Sequence, residues 1–137
     1  MQKIVINKCY GGFGLSHKAV MRYAEIKGIK LYPYLDDITK NIYKERATFD
    51  NPEIFVNYTT KPKKRDSSDK WINDNYFSLY NIERTDPALI QVVSEMGNEA
   101  NSRHSELKIV NVPDGVEWEI EEYDGFESIH EKHRSWG

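Results

Sequence analysis

The chain has 137 residues, of which 39% are hydrophobic and 12% aromatic, a composition typical of one globular domain rather than of a disordered chain. A formal net charge of −3 at pH 7 excludes a generic polyanion-binding protein, so any site for an anionic ligand must be local. The single cysteine, Cys9, excludes an internal disulfide, and with no membrane-spanning apolar run or signal-peptide pattern we expect a soluble cytosolic protein.

The first elements are a strand, a helix and a second strand. Lys3 to Asn7 is short, rich in β-branched residues and bounded by polar residues, which predicts the first strand. Ser16 is a natural N-cap for a helix that runs to about Lys27 and ends at Gly28. On one face of this helix lie Ala19, Val20, Tyr23 and either Ala24 or Ile26. Residues 29–35 (IKLYPYL) predict a second strand, placed at a sheet edge by its proline, and the three elements together suggest a βαβ-like opening.

The middle of the chain carries weaker signals. Residues 42–49 (IYKERATF) are compatible with either helix or strand, whereas 53–61 (EIFVNYTTK) predicts a strand. Residues 61–70 contain no apolar side chain and predict a surface loop. Residues 76–82 (YFSLYNI) alternate as a strand does.

The C-terminal half predicts a second helix followed by strands. Residues 87–97 begin at a proline after a Thr85 or Asp86 cap and stop at Gly97. Strands are predicted at 106–112 and 116–123, and the chain after the YDG turn can pair back as a hairpin. The sequence therefore predicts a small single α+β domain with a mostly antiparallel sheet and two main helices, near 16–27 and 87–97.

Three glycines in the turn at 8–16 (KCYGGFGLS) require an explanation, because glycine costs backbone entropy and adds no packing. The pattern GGFG is not the GxGxxG of dinucleotide-binding folds. One alternative is a tight strand-to-helix turn with Phe13 packed inward. Another is an anion held by the amides of Gly14, Leu15 and Ser16 at the helix N-terminus. The sequence leaves both open.

Other polar groups have ordinary explanations beside functional ones. Cys9 with four histidines could suggest a metal site, but only His130 and His133 have ligand-like spacing. The cationic run 61–65 (KPKKR) is typical of a solvated loop, with attraction of phosphate as the alternative. The glutamates of 117–122 alternate with Trp118 and Ile120, as on an exposed strand face.

The connection at 98–106 (NEANSRHSE) concentrates amide, hydroxyl, guanidinium and imidazole groups between a helix and a strand. Such groups can contact a base edge, a ribose and a phosphate. A polar surface loop is the alternative. The functional interpretation gives Arg103 a phosphate contact, with Asn101 and His104 completing the polar side of a pocket.

Three stretches, KIVINKCYGGFGLS, RTDPALIQVVSEMGNEANSRHSELKIV and PDGVEWEIEEYDG, resemble a family of small phage-encoded proteins, the first Thoeris anti-defence family. The resemblance spans the chain without a diagnostic motif. It implies a nucleotide sponge that sequesters glycocyclic ADP-ribose signals, and for some members cyclic oligonucleotides, without degrading them. It also implies dimers or hexamers with ligand pockets between protomers, acting in the host bacterial cytoplasm.

The resemblance implies arginines that pair with phosphate, an aromatic ring that stacks on adenine and an asparagine that contacts base or ribose. On this chain, Arg22 and Arg103, Phe77 or Tyr76, and Asn101 match those roles. The predicted ligand-binding residues are thus Arg103, Asn101, His104, Arg22 and Phe77. We expect no catalytic residue, metal or cofactor, and no membrane or long nucleic acid as a partner.

Two other functional classes remain open from the sequence. A nucleotide-binding enzyme would hold phosphate at the Gly11–Gly14 turn and use His17 or His104 as acid or base. An inhibitor of a host protein would present the acidic residues of 117–124 as a surface mimic.

Overall fold

A computed structural model describes residues 1–35, 56–62 and 68–132. In chain order the elements are β1 (Gln2–Asn7), α1 (His17–Lys27), β2 (Tyr32–Leu35), β3 (Val56–Thr59), α2 (Asp69–Asn75), α3 (Pro87–Met96), β4 (Leu107–Val112), β5 (Trp118–Tyr123) and β6 (Phe126–Glu131). Short 3-10 helices lie at Leu79–Asn81 and Gly97–Ala100. The strands form three two-stranded antiparallel ladders, β1–β4, β2–β3 and β5–β6. This confirms the predicted α+β fold.

The β1–β4 ladder lies between the helices and the β5–β6 hairpin. Val5 belongs to the main core, with the buried faces of α1 and α3. Ile4 and Ile6 point to the opposite face, where Trp118 and Ile120 of the hairpin pack against them. Because successive side chains of a strand alternate between faces, β1 supplies both cores from adjacent positions. Four consecutive residues of β1 are therefore fully buried.

The two predicted helices are confirmed, with their caps. The Ser16 hydroxyl accepts a hydrogen bond from the Ala19 amide at 3.2 Å, and Gly28 ends α1 with a left-handed φ of 71°. At the start of α3, a carboxylate oxygen of Asp86 accepts from the Ala88 amide at 2.9 Å. Such caps satisfy amides that the first turn of a helix leaves unpaired.

The predicted βαβ-like opening is wrong. β1 pairs with β4, and β2 pairs with β3. In the β1–β4 register Gln2 lies opposite Val112, more than a hundred residues along the chain. Strand propensity identifies strands but not partners so far apart in sequence, so nothing in the opening segment specifies this pairing.

The strand predicted at 76–82 is also wrong beyond its first residue. Tyr76 forms an isolated bridge with Thr59, and the chain then bends into the 3-10 helix Leu79–Asn81. The Ser78 hydroxyl caps this turn by accepting from the Tyr80 amide at 3.3 Å. Since Leu79 packs against the main core from the bent segment, the apolar alternation is satisfied without a strand.

α2 was not predicted: its first two residues belong to the predicted 61–70 surface loop, and no element was predicted for 71–75. Ser68 caps this seven-residue helix by accepting from the Trp71 amide at 3.2 Å. The helix buries no residue, so it lacks the apolar periodicity that identifies an amphipathic helix. Residues 63–67, the ambiguous 42–49 segment and the first residues of the predicted 53–61 strand lie outside the described part of the chain.

No helix among the described residues is both long enough and apolar enough to cross a bilayer.

Candidate functional site

The glycines of the first turn allow close packing of backbone against backbone. A Cβ atom at Gly11 would overlap the carbonyl oxygen of His104, and one at Gly14 would meet the Ser102 hydroxyl at 2.8 Å. Gly12 has a φ of 110°, which side-chain-bearing residues rarely adopt. The turn at Gly125 lies directly against Gly12. The glycine turn therefore accommodates two neighbouring chain segments, and its small residues have a packing explanation without a ligand.

The loop at 101–105, hereafter the polar loop, uses most of its amide and hydroxyl groups to support its own shape. The side-chain oxygen of Asn101 accepts from the Leu107 amide at 2.9 Å. Ser105 accepts from the Ser102 amide at 2.8 Å and donates to the Gly14 carbonyl at 2.9 Å. These bonds hold the polar loop against the glycine turn, as expected for an irregular segment whose backbone must be satisfied.

Arg103 and His104 are the exposed side chains of the polar loop. The backbone carbonyl of His104 accepts a hydrogen bond from the Cys9 thiol at 3.0 Å. The half-buried cysteine thus contributes to the same junction. Asn101, Arg103 and His104, close neighbours in sequence, lie in this one loop, and their predicted contact with a ligand stays a prediction.

Arg22 lies elsewhere, in the second half of α1, between two carboxylates. Its Nε is 3.1 Å from Glu95 on α3, and one terminal nitrogen is 2.6 Å from Glu25. The hydrogen bond to Glu95 is the largest cause of a raised Arg22 pKa. The same guanidinium lowers the pKa of Glu95. This arginine therefore stays charged and is oriented from two sides.

Phe77 is half-buried and packs against the main core. Its ring is tilted over Tyr23, with ring centroids 6.4 Å apart, and its amide donates to the Tyr58 carbonyl at 2.9 Å. Of the five residues predicted to bind a ligand, three share the polar loop, while Arg22 and Phe77 lie on other elements.

An open groove of about 810 Å³ runs along the exposed side of α1 and continues to the start of β2. We call this groove the α1 groove. Its cationic lining residues are Lys18, Arg22 and Lys30, and its apolar ones include Met21, Ile29 and Leu31. His17, Ala24, Glu25 and Pro33 complete the lining. Arg22 is the predicted ligand-binding residue that lines this groove.

The described residues that line the α1 groove carry more cations than carboxylates. Their three cationic side chains face the carboxylate of Glu25, and Arg22 also contacts Glu95, which does not line the groove. The chain as a whole has a net charge of −3. The Lys30 ammonium also lies 5.3 Å from the centre of the Tyr32 ring. A local excess of cations beside apolar surface suits an anionic ligand with a flat, weakly polar part.

His17, at one end of the groove, is held by Tyr58. The two rings stack with centroids 5.8 Å apart and an angle of 8° between their planes. The ring nitrogen Nδ1 is 2.9 Å from the Tyr58 hydroxyl. Burial raises the pKa of Tyr58 well above its ordinary value, so that hydroxyl remains protonated. His17 is therefore fixed in orientation at the groove entrance.

Lys18 and Lys30 are not among the residues predicted from the sequence, although a signal for this surface exists. The buried face of α1 consists of Ala19, Val20, Tyr23 and Ala24. Ile29, just beyond the helix and next to Lys30, remains 42% exposed. An exposed apolar side chain beside a lysine marks surface that the core does not use.

Within the described residues, no group of three histidine, cysteine, aspartate or glutamate side chains is placed to hold a metal ion. His133 of the predicted His130–His133 pair lies outside those residues.

No protein-family model, curated protein or solved structure matches the chain.

Proposed function

We propose that this chain binds a small cyclic nucleotide in the α1 groove and sequesters it without chemical conversion. The observation that carries the proposal is the convergence of Lys18, Arg22 and Lys30 beside an apolar floor. The groove volume of about 810 Å³ falls in the range of roughly 300–1,000 Å³ common for small-molecule sites. Cations then pair with phosphates, and the apolar floor covers a base.

The proposed ligand class follows from the resemblance and fits the groove chemistry. The Thoeris anti-defence family implies a glycocyclic ADP-ribose signal, which carries both phosphate and adenine. A phage protein of this kind would act in the host bacterial cytoplasm, where removing the signal suppresses the defence that depends on it. Sequestration requires affinity and no reacting group, and the proposal assigns no catalytic role to any residue.

The energetics of such a site are adequate for tight binding. A charge-assisted hydrogen bond contributes about 1.5–3 kcal/mol when water is excluded, and an exposed ion pair contributes less than about 1 kcal/mol. Base burial and stacking add about 1–3 kcal/mol. Because the α1 groove is open, we expect one chain alone to bind at micromolar strength, about −8 kcal/mol.

A second copy that covers the open side would exclude water and strengthen every contact. We therefore propose a homo-oligomer, a dimer or hexamer, as the tight-binding form. Light scattering at micromolar concentration measures this, and a particle with the mass of one chain, both without and with nucleotide, would contradict it.

Calorimetry against a panel of cyclic nucleotides and ADP-ribose isomers tests the proposed function. We expect one compound to bind and to be recovered intact by chromatography after the complex is heated. Recovery of a converted product would instead establish an enzyme. Absence of binding across the panel would overturn the nucleotide proposal.

Matched variants then locate the ligand. Arg22→Ala removes the held guanidinium of the α1 groove, and we expect about a thirtyfold loss of affinity, equivalent to roughly 2 kcal/mol. Arg103→Ala removes the same group from the polar loop and is the control. A loss of affinity in Arg103→Ala alone would place the ligand at the polar loop, as the sequence analysis predicted.

A further inference from the structure

The β5–β6 hairpin has one face packed in the molecule and one face open. Trp118, Ile120 and Ile129 point inward, against β1. Because side chains alternate along each strand, the register places the remaining residues on the outer face. These are Glu119, Glu121 and Tyr123 of β5 and Phe126, Ser128 and His130 of β6. We call this surface the outer hairpin face.

One end of the outer hairpin face is aromatic and exposed. Tyr123 is 74% exposed and lies opposite Phe126 in the ladder. Tyr10, from the glycine turn, is 70% exposed and packs on Phe126 with ring centroids 5.2 Å apart. Two large exposed rings thus lie next to the half-buried ring of Phe126, over which the Lys8 ammonium also lies at 5.0 Å. Exposed tyrosines grouped in this way are typical of the centres of protein interfaces.

The other end of the face is acidic. Glu119 and Glu121 are exposed on neighbouring outward positions. Glu121 has His130 at 3.3 Å, and the same imidazole nitrogen lies 2.8 Å from the Ser128 hydroxyl. The carboxylates therefore have at most a weak cationic partner within the hairpin, since this histidine is charged only when protonated.

The hairpin is rigidly anchored to the rest of the molecule. The buried carboxylate of Glu127 accepts hydrogen bonds from the Arg84 guanidinium at 2.6 and 2.8 Å and from the backbone amide of Asn7 at 2.8 Å. The outer face is thus held in place before any partner arrives. Preorganisation of this kind lowers the entropy that association costs.

We propose that the outer hairpin face docks an arginine-rich segment of a partner protein. Guanidinium groups pair with carboxylates in a planar fork and also stack on tyrosine rings, whereas lysine offers only a point charge for such pairing. An extended strand of about six residues spans roughly 20 Å, which matches the length of the hairpin. The acidic and aromatic ends together thus fit a short basic segment with several arginines.

This site is distinct from the α1 groove in charge and in position. The groove is cationic and lies on a helix, while the outer hairpin face is anionic and lies on the far side of β1. The inference therefore does not depend on the proposed nucleotide site. Failure of either one leaves the other untouched.

Fluorescence anisotropy with a labelled octa-arginine peptide tests the proposal, with octa-lysine as the matched probe. We expect the wild-type chain to bind octa-arginine at least about fivefold more tightly than octa-lysine, because only arginine stacks well on the rings. In Tyr123→Ala combined with Glu119→Gln and Glu121→Gln, octa-arginine affinity should fall roughly tenfold. Tyr123→Phe alone retains the ring and should bind nearly as well as the wild type.

The control for charge is Glu99→Gln with Glu106→Gln, which removes two exposed carboxylates from elsewhere on the surface. Equal losses in the control and in the hairpin variant would overturn the proposal, as would equal affinities for the two peptides. Sedimentation without peptide measures whether a second copy of this chain occupies the outer hairpin face instead. A dimer that Tyr123→Ala dissociates would assign the face to a second copy of this chain and overturn the proposal.

Discussion

The polar loop and the α1 groove differ in how their amide and hydroxyl groups, on the one hand, and their lysines, on the other, are used. In the polar loop, Asn101 and Ser105 have bonds within the fold, to Leu107 and Gly14 among others. In the α1 groove, the ammonium groups of Lys18 and Lys30 lie on exposed residues that line a cavity. A dense set of polar residues in the sequence therefore marks a packed junction, while a plain-looking helix carries the surface suited to a ligand.

The difference lies in what the backbone needs. The polar loop has no regular ladder, so its side chains must satisfy amides and carbonyls that would otherwise lack partners. α1 satisfies its own backbone, which leaves its outward side chains available for other contacts. Changes in the junction should therefore affect stability, and changes in the groove should affect binding.

The largest expected effect is at Gly11. In Gly11→Ala the new methyl group would overlap a backbone atom, the His104 carbonyl oxygen, which cannot move aside as a side chain does. We expect a loss of about 3 kcal/mol or more in the free energy of unfolding, measured by urea denaturation. Gly14→Ala is the matched control, because it meets only the Ser102 side chain. Equal costs for the two variants would contradict the packing explanation of the glycine turn.

Asn7 is the next test of the packed junction. Its fully buried side chain donates to the carbonyls of Cys9 and Gly125 and accepts from the Glu106 amide. Asn7→Ala leaves these backbone groups without a partner, and we expect a loss of about 2–3 kcal/mol. Denaturation with and without the tightest-binding nucleotide checks the result. Loss of nucleotide affinity in a folded Asn7→Ala protein would show that junction and ligand site are linked.

Asp86 connects the buried face of α1 to α3 and predicts a dependence of stability on pH. Burial alone would raise its pKa, but hydrogen bonds from Tyr23, Ala88 and Lys27 outweigh burial and lower it. A carboxyl whose pKa is lowered by folding contributes stability above the unfolded value of about 3.9, and this contribution is lost as pH falls through and below that value.

In Asp86→Asn the cap is kept, but the charge-assisted bonds from Tyr23 and Lys27 are weakened, so we expect a loss of about 1 kcal/mol at pH 7. We also expect a flatter stability profile between about pH 5 and pH 2 than the wild type has. Urea denaturation across that interval measures both quantities. A profile as steep as that of the wild-type chain would mean that other carboxyls dominate the acid response.

The smallest expected effect on stability is in the α1 groove itself. Lys18 is exposed, so Lys18→Ala should change the free energy of unfolding by less than about 0.5 kcal/mol. The same variant should weaken nucleotide binding about threefold, within the limit of about 1 kcal/mol for an exposed ion pair. A change in the free energy of unfolding with unchanged nucleotide affinity would mean that Lys18 contributes to stability and not to binding.

The helices and turns predicted from the sequence are confirmed where neighbouring residues alone decide the structure. Both predicted helices, α1 and α3, form where their caps indicate. Ser16 and Asp86 cap the first turns, and a glycine ends each of these two helices. The two-residue turn after β5 is equally local, because Asp124 and Gly125 both adopt the positive φ of the favoured hairpin turn.

The sequence could not reveal what depends on distant partners. The pairing of β1 with β4 joins segments about a hundred residues apart. The use of Asn101 as a backbone acceptor follows from the position of Leu107 in the folded chain, and residue type does not determine it. The groove has a signal in the exposed Ile29, but only the structure shows that Pro33 of β2 also lines it.

The most direct test of the α1 groove is a nuclear magnetic resonance titration of the labelled wild-type chain with the tightest-binding cyclic nucleotide. Backbone amides whose chemical shifts change on binding identify the segment that contacts the ligand, without any substitution. We predict the largest shifts at Lys18, Arg22 and Lys30, with the polar loop little changed. Chemical-shift changes concentrated at residues 101–105, with the resonances of α1 unchanged, would contradict binding in the α1 groove.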